Sequence, residues 1–124
     1  MEAPVVPSQT SPFNVIRHQL IVSLPANLSH EDVDWLENCV LRTLGDDKRI
    51  RGVIVDFASV HSTDFHDLAR LNEFFLAIHL LGRTVSICGV NPGLAAVVVR
   101  SGQQLYREYV GIDIDDVLQR SNDA

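Results

Sequence analysis

Several ingredients of common chemistry are scarce or missing in this chain. Cysteine occurs twice, at Cys39 and Cys88, inside expected regular elements and with no CxxC spacing. That excludes a zinc-ribbon or dithiol pattern, and the expectation is two buried thiols in a reducing cytoplasm. Clusters of basic residues are lacking too. The 10 Lys and Arg are scattered from Arg17 to Arg120 among 16 Asp and Glu, for a formal net charge of -6. A general phosphate-backbone binder would show a basic stripe, so no nucleic-acid partner is expected. No apolar run approaches the roughly 18 to 20 residues that cross a bilayer. The opening "MEAPVVPSQTSP" has neither a basic n-region nor a long apolar core, so no secretory signal is expected. GxSxG, HExxH, Walker and GxGxxG sequences do not occur, and neither does an internal repeat. No enzyme, no cofactor, no metal and no membrane partner are indicated.

What remains is ordinary material for one folded domain: 124 residues, 46% hydrophobic and 21% charged. Residues 1 to 12 hold three prolines among small polar residues and are expected to form a flexible leader. "FNVIRHQLIVSL", 13 to 24, alternates in two short runs, which predicts two strands joined by a tight turn near Arg17 and His18. Ser29 and Asp32 have the spacing of a capping box, and Val33, Leu36, Val40 and Leu44 recur at helical spacing behind it, with Gly45 as the expected stop. "GVIVDF", 52 to 57, and "TVSICGV", 84 to 90, are near-continuous apolar runs, the pattern of strands buried on both faces. Between them a second helix is expected from Asp64 to Leu81, closed by Gly82. Asn91-Pro92 starts a third helix that fades near Ser101-Gly102. "LYREYV" is expected as an edge strand and "IDDVLQR" as a short last helix, with 121–124 as a tail. Helices that follow strands imply an α/β fold with a mainly parallel sheet of 4-5 strands, about 4 helices and right-handed crossovers.

"GVIVDFASV", a helix opening at Asp64, and "LLGRTVSICGVNPGLAAVVVRSG" together resemble the STAS domain, the fold shared by anti-sigma factor antagonists and sulfate-transporter tails. The resemblance spans residues 13–120 and, in the wording of residues 52 to 102, is greatest to stressosome scaffold proteins of the RsbS type. It implies a cytoplasmic protein–protein interaction module in stress or sigma-factor signalling. The implied partners are STAS paralogues with sensor domains and a Ser/Thr kinase of the anti-sigma type, in a homo- or hetero-oligomer. The alternative of a different class is a STAS accessory subunit of a membrane transporter or lipid-handling complex.

In that family an Asp-Ser or Asp-Thr pair opens the second helix, and the partner kinase phosphorylates the hydroxyl. A helix N-terminus tolerates the added dianion, which then repels a partner docked on the same surface. Ungapped alignment places Asp64 on the family's aspartate and Phe65 on its acceptor. Phenylalanine has no hydroxyl, so the switch is missing at that position. Ser62 and Thr63 are the displaced alternatives, although loops and caps favour Ser and Thr for local backbone bonding alone.

The same stretch holds His61, Asp64, His66 and Asp67, but two histidines five apart do not share a helical face as zinc ligands do. Asp56 ends a strand, a place suited to chemistry in α/β sheets and equally to bracing a loop. On the second helix, Leu68, Leu71, Phe75 and Ile78 form one apolar stripe. Phe65, Ala69, Leu76 and Leu80 form another beside it, interrupted by Asn72, with His66, Arg70, Glu73 and Ala77 on what remains. The second stripe is either buried by a neighbouring helix or a partner surface. Asp64, Phe65, His66, Ala69 and Leu76 are the expected partner-binding residues.

Overall fold

The computed structural model describes residues 13–61 and 65–123, with 65–67 and 121–123 described by their backbone alone. The expected leader, Ser62, Thr63, Asp64 and Ala124 lie outside the described residues.

The chain opens with β1 (Phe13–Ile16) and β2 (Gln19–Ser23), paired antiparallel with Ile16 opposite Gln19. Their two-residue turn is Arg17-His18, with φ 51 and 67. Positive φ at both positions matches the twist of the flanking strands but strains any residue with a Cβ. The turn is tied from outside, since the Arg51 N–H donates to the His18 carbonyl at 2.7 Å.

Then follow α1 (His30–Asp46), β3 (Gly52–Asp56), α2 (Phe65–Leu80), β4 (Thr84–Cys88), α3 (Pro92–Ser101), β5 (Tyr109–Gly111) and α4 (Ile114–Asp123). The sheet order is β1-β2-β3-β4-β5, and every pair after the first is parallel. This is the α/β architecture that the strand–helix order implies.

Two apolar layers hold it together. On one face Leu20, Val22, Val53, Val55, Val85 and Ile87 meet the buried sides of α1 and α2. On the other, Ile21, Ile54 and Cys88 meet Val117 and Leu118 of α4. Because both faces are covered, β2 is buried at four successive positions and does not alternate as its sequence suggests.

The helix ends show which local signals decide. Ser29 and Asp32 form the expected capping box, with the Asp32 N–H donating to Ser29 Oγ at 3.2 Å and the Ser29 N–H to Asp32 Oδ2 at 3.1 Å. Gly45 does not stop α1, which continues to Asp46 and is capped by Asp47. The terminus is held by Arg83, whose Nη2 donates to the carbonyls of Leu44 (2.7 Å) and Asp47 (3.3 Å) while Nε donates to that of Ile50 (2.9 Å). Helix α2 ends as expected at Gly82, with φ 78. Its N–H donates to the His79 carbonyl (2.9 Å) and that of Arg83 to Ile78 (3.4 Å), a Schellman arrangement.

Two strands differ from expectation. β4 stops at Cys88, because Gly89 takes φ 74 and gives its N–H to Ile112. A Cβ there would lie 2.6 Å from Asp56 Oδ1 and 2.8 Å from the Ala58 nitrogen, so the close approach needs glycine. β5 is only Tyr109–Gly111, since Glu108 serves Val85 with its side chain: Oε2 accepts the Val85 N–H at 2.6 Å.

Candidate interaction surface on the second helix

β3 delivers the chain to the start of α2, and Phe65 is the first residue of that helix. Phe65 therefore stands at a helix N-terminus, where backbone N–H groups are unpaired by the helix. His66 follows in the same first turn, while Asp64 and the displaced candidates Ser62 and Thr63 lie outside the described residues.

The inward side of α2 is sealed. Leu68, Leu71, Phe74, Phe75 and Ile78 have no solvent exposure. Phe74 is an addition to the expected stripe, and its ring lies 5.7 Å from that of Phe75. Its place on the rim of the apolar arc gives a signal in the helical period that a four-residue stripe overlooks.

The second stripe has no full cover from either neighbouring helix. Ala69 is exposed, Leu76 is 42% exposed and Leu80 is 83% exposed. Polar ties frame it on both sides. Towards α1, Arg70 Nε donates to Asp34 Oδ1 (2.8 Å), while its Nη1 and Nη2 reach both carboxylate oxygens of Glu37 (3.2 and 2.8 Å). Hydrogen bonding to Glu37 raises the pKa of Arg70, with burial opposing and Asp34 adding to the rise. Arg70 is thus a helix–helix tie rather than a free member of the polar face.

Towards the 105–108 segment, Asn72 Oδ1 accepts the Tyr106 N–H at 2.7 Å. The Tyr106 hydroxyl lies 2.6 Å from His79 Nδ1 and donates to Glu108 Oε1 at 2.9 Å. Burial, then the neighbouring Glu108, pushes the Tyr106 phenol above its ordinary range. Sequence reasoning missed both frames, because each joins residues about thirty positions apart whose pairing no local period encodes.

Asp56 braces its loop: Oδ1 accepts the Ala58 N–H at 2.9 Å and lies 3.8 Å from Cys88 Sγ. Burial, followed by the Asp56 charge, pushes the Cys88 thiol up to about 12. Cys88 is buried as expected, whereas Cys39 is only half-buried on α1, beyond full cover of the core. Its thiol is also raised by burial, with Arg42 opposing. Among the described residues no group of three or more His, Cys, Asp or Glu side chains is arranged to hold a metal ion. No described helix is long and apolar enough to cross a membrane.

Comparison with known proteins rests on the fold. No protein-family model matches the sequence, and no curated protein matches it. Solved structures do. A serine-to-glutamate variant of Moorella thermoacetica RsbS is 17% identical, with a TM-score of 0.76 over 90% of this chain and 94% of that one. A chain from the stressosome, described as a signal integration and transduction hub, is 17% identical with a TM-score of 0.77, over 90% and 96% of the two chains. The anti-sigma factor antagonist SpoIIAA in its unphosphorylated form is 12% identical with a TM-score of 0.66, over 90% and 99%. The fold is the STAS fold, that of stressosome proteins and anti-sigma factor antagonists.

Proposed function

We propose that this protein is a STAS interaction module of stress or sigma-factor signalling, a stressosome component or anti-sigma factor antagonist that works by contact rather than by catalysis. The observation that carries the reading is the outward stripe of α2, where Ala69, Leu76 and Leu80 leave apolar surface in solvent on a helix whose other side is fully buried. Contiguous exposed apolar surface marks association. The likeness in fold to a stressosome chain and to SpoIIAA supports the kind of partner: STAS chains that carry sensor domains, and a Ser/Thr kinase of the anti-sigma type.

Phe65 occupies the position equivalent to the phosphoacceptor, and Asp64, Phe65 and His66 join Ala69 and Leu76 as the proposed partner-binding residues. The module is locked: it keeps the surface and lacks the hydroxyl through which charge would dismiss the partner. A cytoplasmic setting and a homo- or hetero-oligomer follow from that role.

The test has two arms. Incubation with the cognate kinase and ATP should leave the start of α2 unmodified, and Phe65→Ser should accept phosphate; stoichiometric phosphate on Ser62 or Thr63 would overturn the locked module. Phe65→Ala should melt within a few degrees of the parent protein yet bind STAS paralogues more weakly by about 2 kcal/mol or more. Sedimentation as a monomer at high concentration, alone and with those paralogues, would overturn the docking role. Recovery with a membrane transport complex instead would move the protein to the accessory-subunit class.

A further inference from the structure

At the β5 edge of the sheet, a cleft of about 520 Å³ opens between α3 and β5. It exists because α3 packs along α2, the segment after Gly102 has no regular structure, and β5 is only three residues long. The sheet edge there is left without a full helical cover. Phe57, Ile87, Leu94, Val98 and Leu105 line it, and Val99 (78% exposed) and Val110 (46% exposed) stand where it meets solvent. The volume lies within the range of pockets for small organic ligands.

Among the described residues Arg107 is the one charged group that lines this largely aliphatic space, with Gln103 and Gln104 as its polar neighbours. Arg107 is exposed; its Nη1 donates to the Leu105 carbonyl at 3.2 Å, which holds the side chain beside the cleft and leaves its other donors available. The neighbouring Glu108 carboxylate accepts from the Val85 N–H and the Tyr106 hydroxyl and makes no ion pair with Arg107. Among the described residues no carboxylate lies within ion-pair distance of Arg107. A cation beside an aliphatic wall suits a ligand with the opposite arrangement, an anionic head on an apolar chain.

We infer that the α3–β5 cleft binds a single-chain amphiphile with a carboxylate head, its chain against Ile87, Leu94 and Val98 and its head on Arg107. This site is separate from the α2 docking face and does not depend on it.

The probe is decanoate below its micelle concentration, titrated into the 15N-labelled full chain, with decyltrimethylammonium as the cationic counterpart. Saturable amide shifts confined to residues 94–110 are expected with decanoate and not with the cationic compound. Arg107→Gln should weaken decanoate about tenfold or more, the scale of one lost charge-assisted hydrogen bond. Ala95→Phe, which fills the cleft from α3, should abolish the shifts while its spectrum stays dispersed. Val98→Trp repeats the block should the first variant fold poorly. Shifts that do not saturate, equal binding of the cationic compound, or binding unchanged in the blocked and Arg107 variants would overturn the site.

Discussion

The two sides of α2 are almost equally apolar in sequence and differ completely in fate. Phe74, Phe75 and their inward neighbours have no exposure, whereas Leu76 and Leu80, one turn apart on the other side, stand in solvent. Hydrophobicity alone therefore does not assign a residue to the core. The sheet takes one side of the helix. Arg70 on one flank and Asn72 with His79 on the other fix its rotation, so the second side cannot roll inwards.

That contrast can be broken most forcefully from within. Phe75→Ala should cost about 3 to 5 kcal/mol, a large share of the roughly 5 to 15 kcal/mol that holds a domain together. Urea unfolding should show the midpoint collapse, and a shift of a few tenths of a molar would mean that the inner side is not the core. Leu80→Ser, on the outer side, should leave the melting curve within about 0.5 kcal/mol of the parent and weaken partner capture by about 2 kcal/mol. A stability loss as large as that of Phe75→Ala would erase the distinction between the sides.

The flank is the next place to press. Arg70→Met removes charge-assisted bonds to Asp34 and Glu37, one of them exposed, and should cost about 1.5 kcal/mol in denaturant unfolding. Pairing it with Glu37→Gln should give clear non-additivity, because the two side chains share bonds. Additive losses would show that the tie contributes little.

The smallest expected effect lies on the opposite face of the sheet. An unfolded cysteine ionises near pH 8.5, while burial pushes the folded Cys88 thiol up to about 12. Its folded pKa is raised, so its contribution is fully present below about 8.5 and is lost as pH climbs towards the folded value. Stability should fall between roughly pH 8.5 and 10, and Cys88→Ala should flatten that slope relative to the parent. Identical slopes would mean that the thiol is solvated in the native state.

Much of the fold was legible because its signals are local. The Ser29/Asp32 box, the Asn91-Pro92 start, the Gly82 stop and the Arg17-His18 turn each stand within a few residues of what they control. The errors arose where control comes from afar. Gly45 looks like a stop until Arg83 supplies the donors that the carbonyls at the end of α1 would otherwise lack. β5 looks longer until Glu108 diverts its side chain to Val85. Of the candidate site, the inner stripe apart from Phe74 and the exposed Ala69, Leu76 and Leu80 followed from period alone, while the polar frame around the outer stripe did not. Whether that stripe was covered depended on where α1 and α3 lie, which no single helix encodes.

The Tyr106 contact has a directional consequence. A phenol has one hydrogen to give, a carboxylate has none, and Tyr106 stands between His79 Nδ1 and Glu108 Oε1 at 2.6 and 2.9 Å. The row is complete in only one sense: the phenolic hydrogen goes to Glu108, and the phenolic oxygen receives one from an imidazole that carries its proton on Nδ1. In the neutral ring this leaves Nε2 as the bare nitrogen, a lone pair on a half-exposed side chain one residue from Leu80. In that state the exposed edge of His79 offers an acceptor, not a donor, beside the outer side of α2.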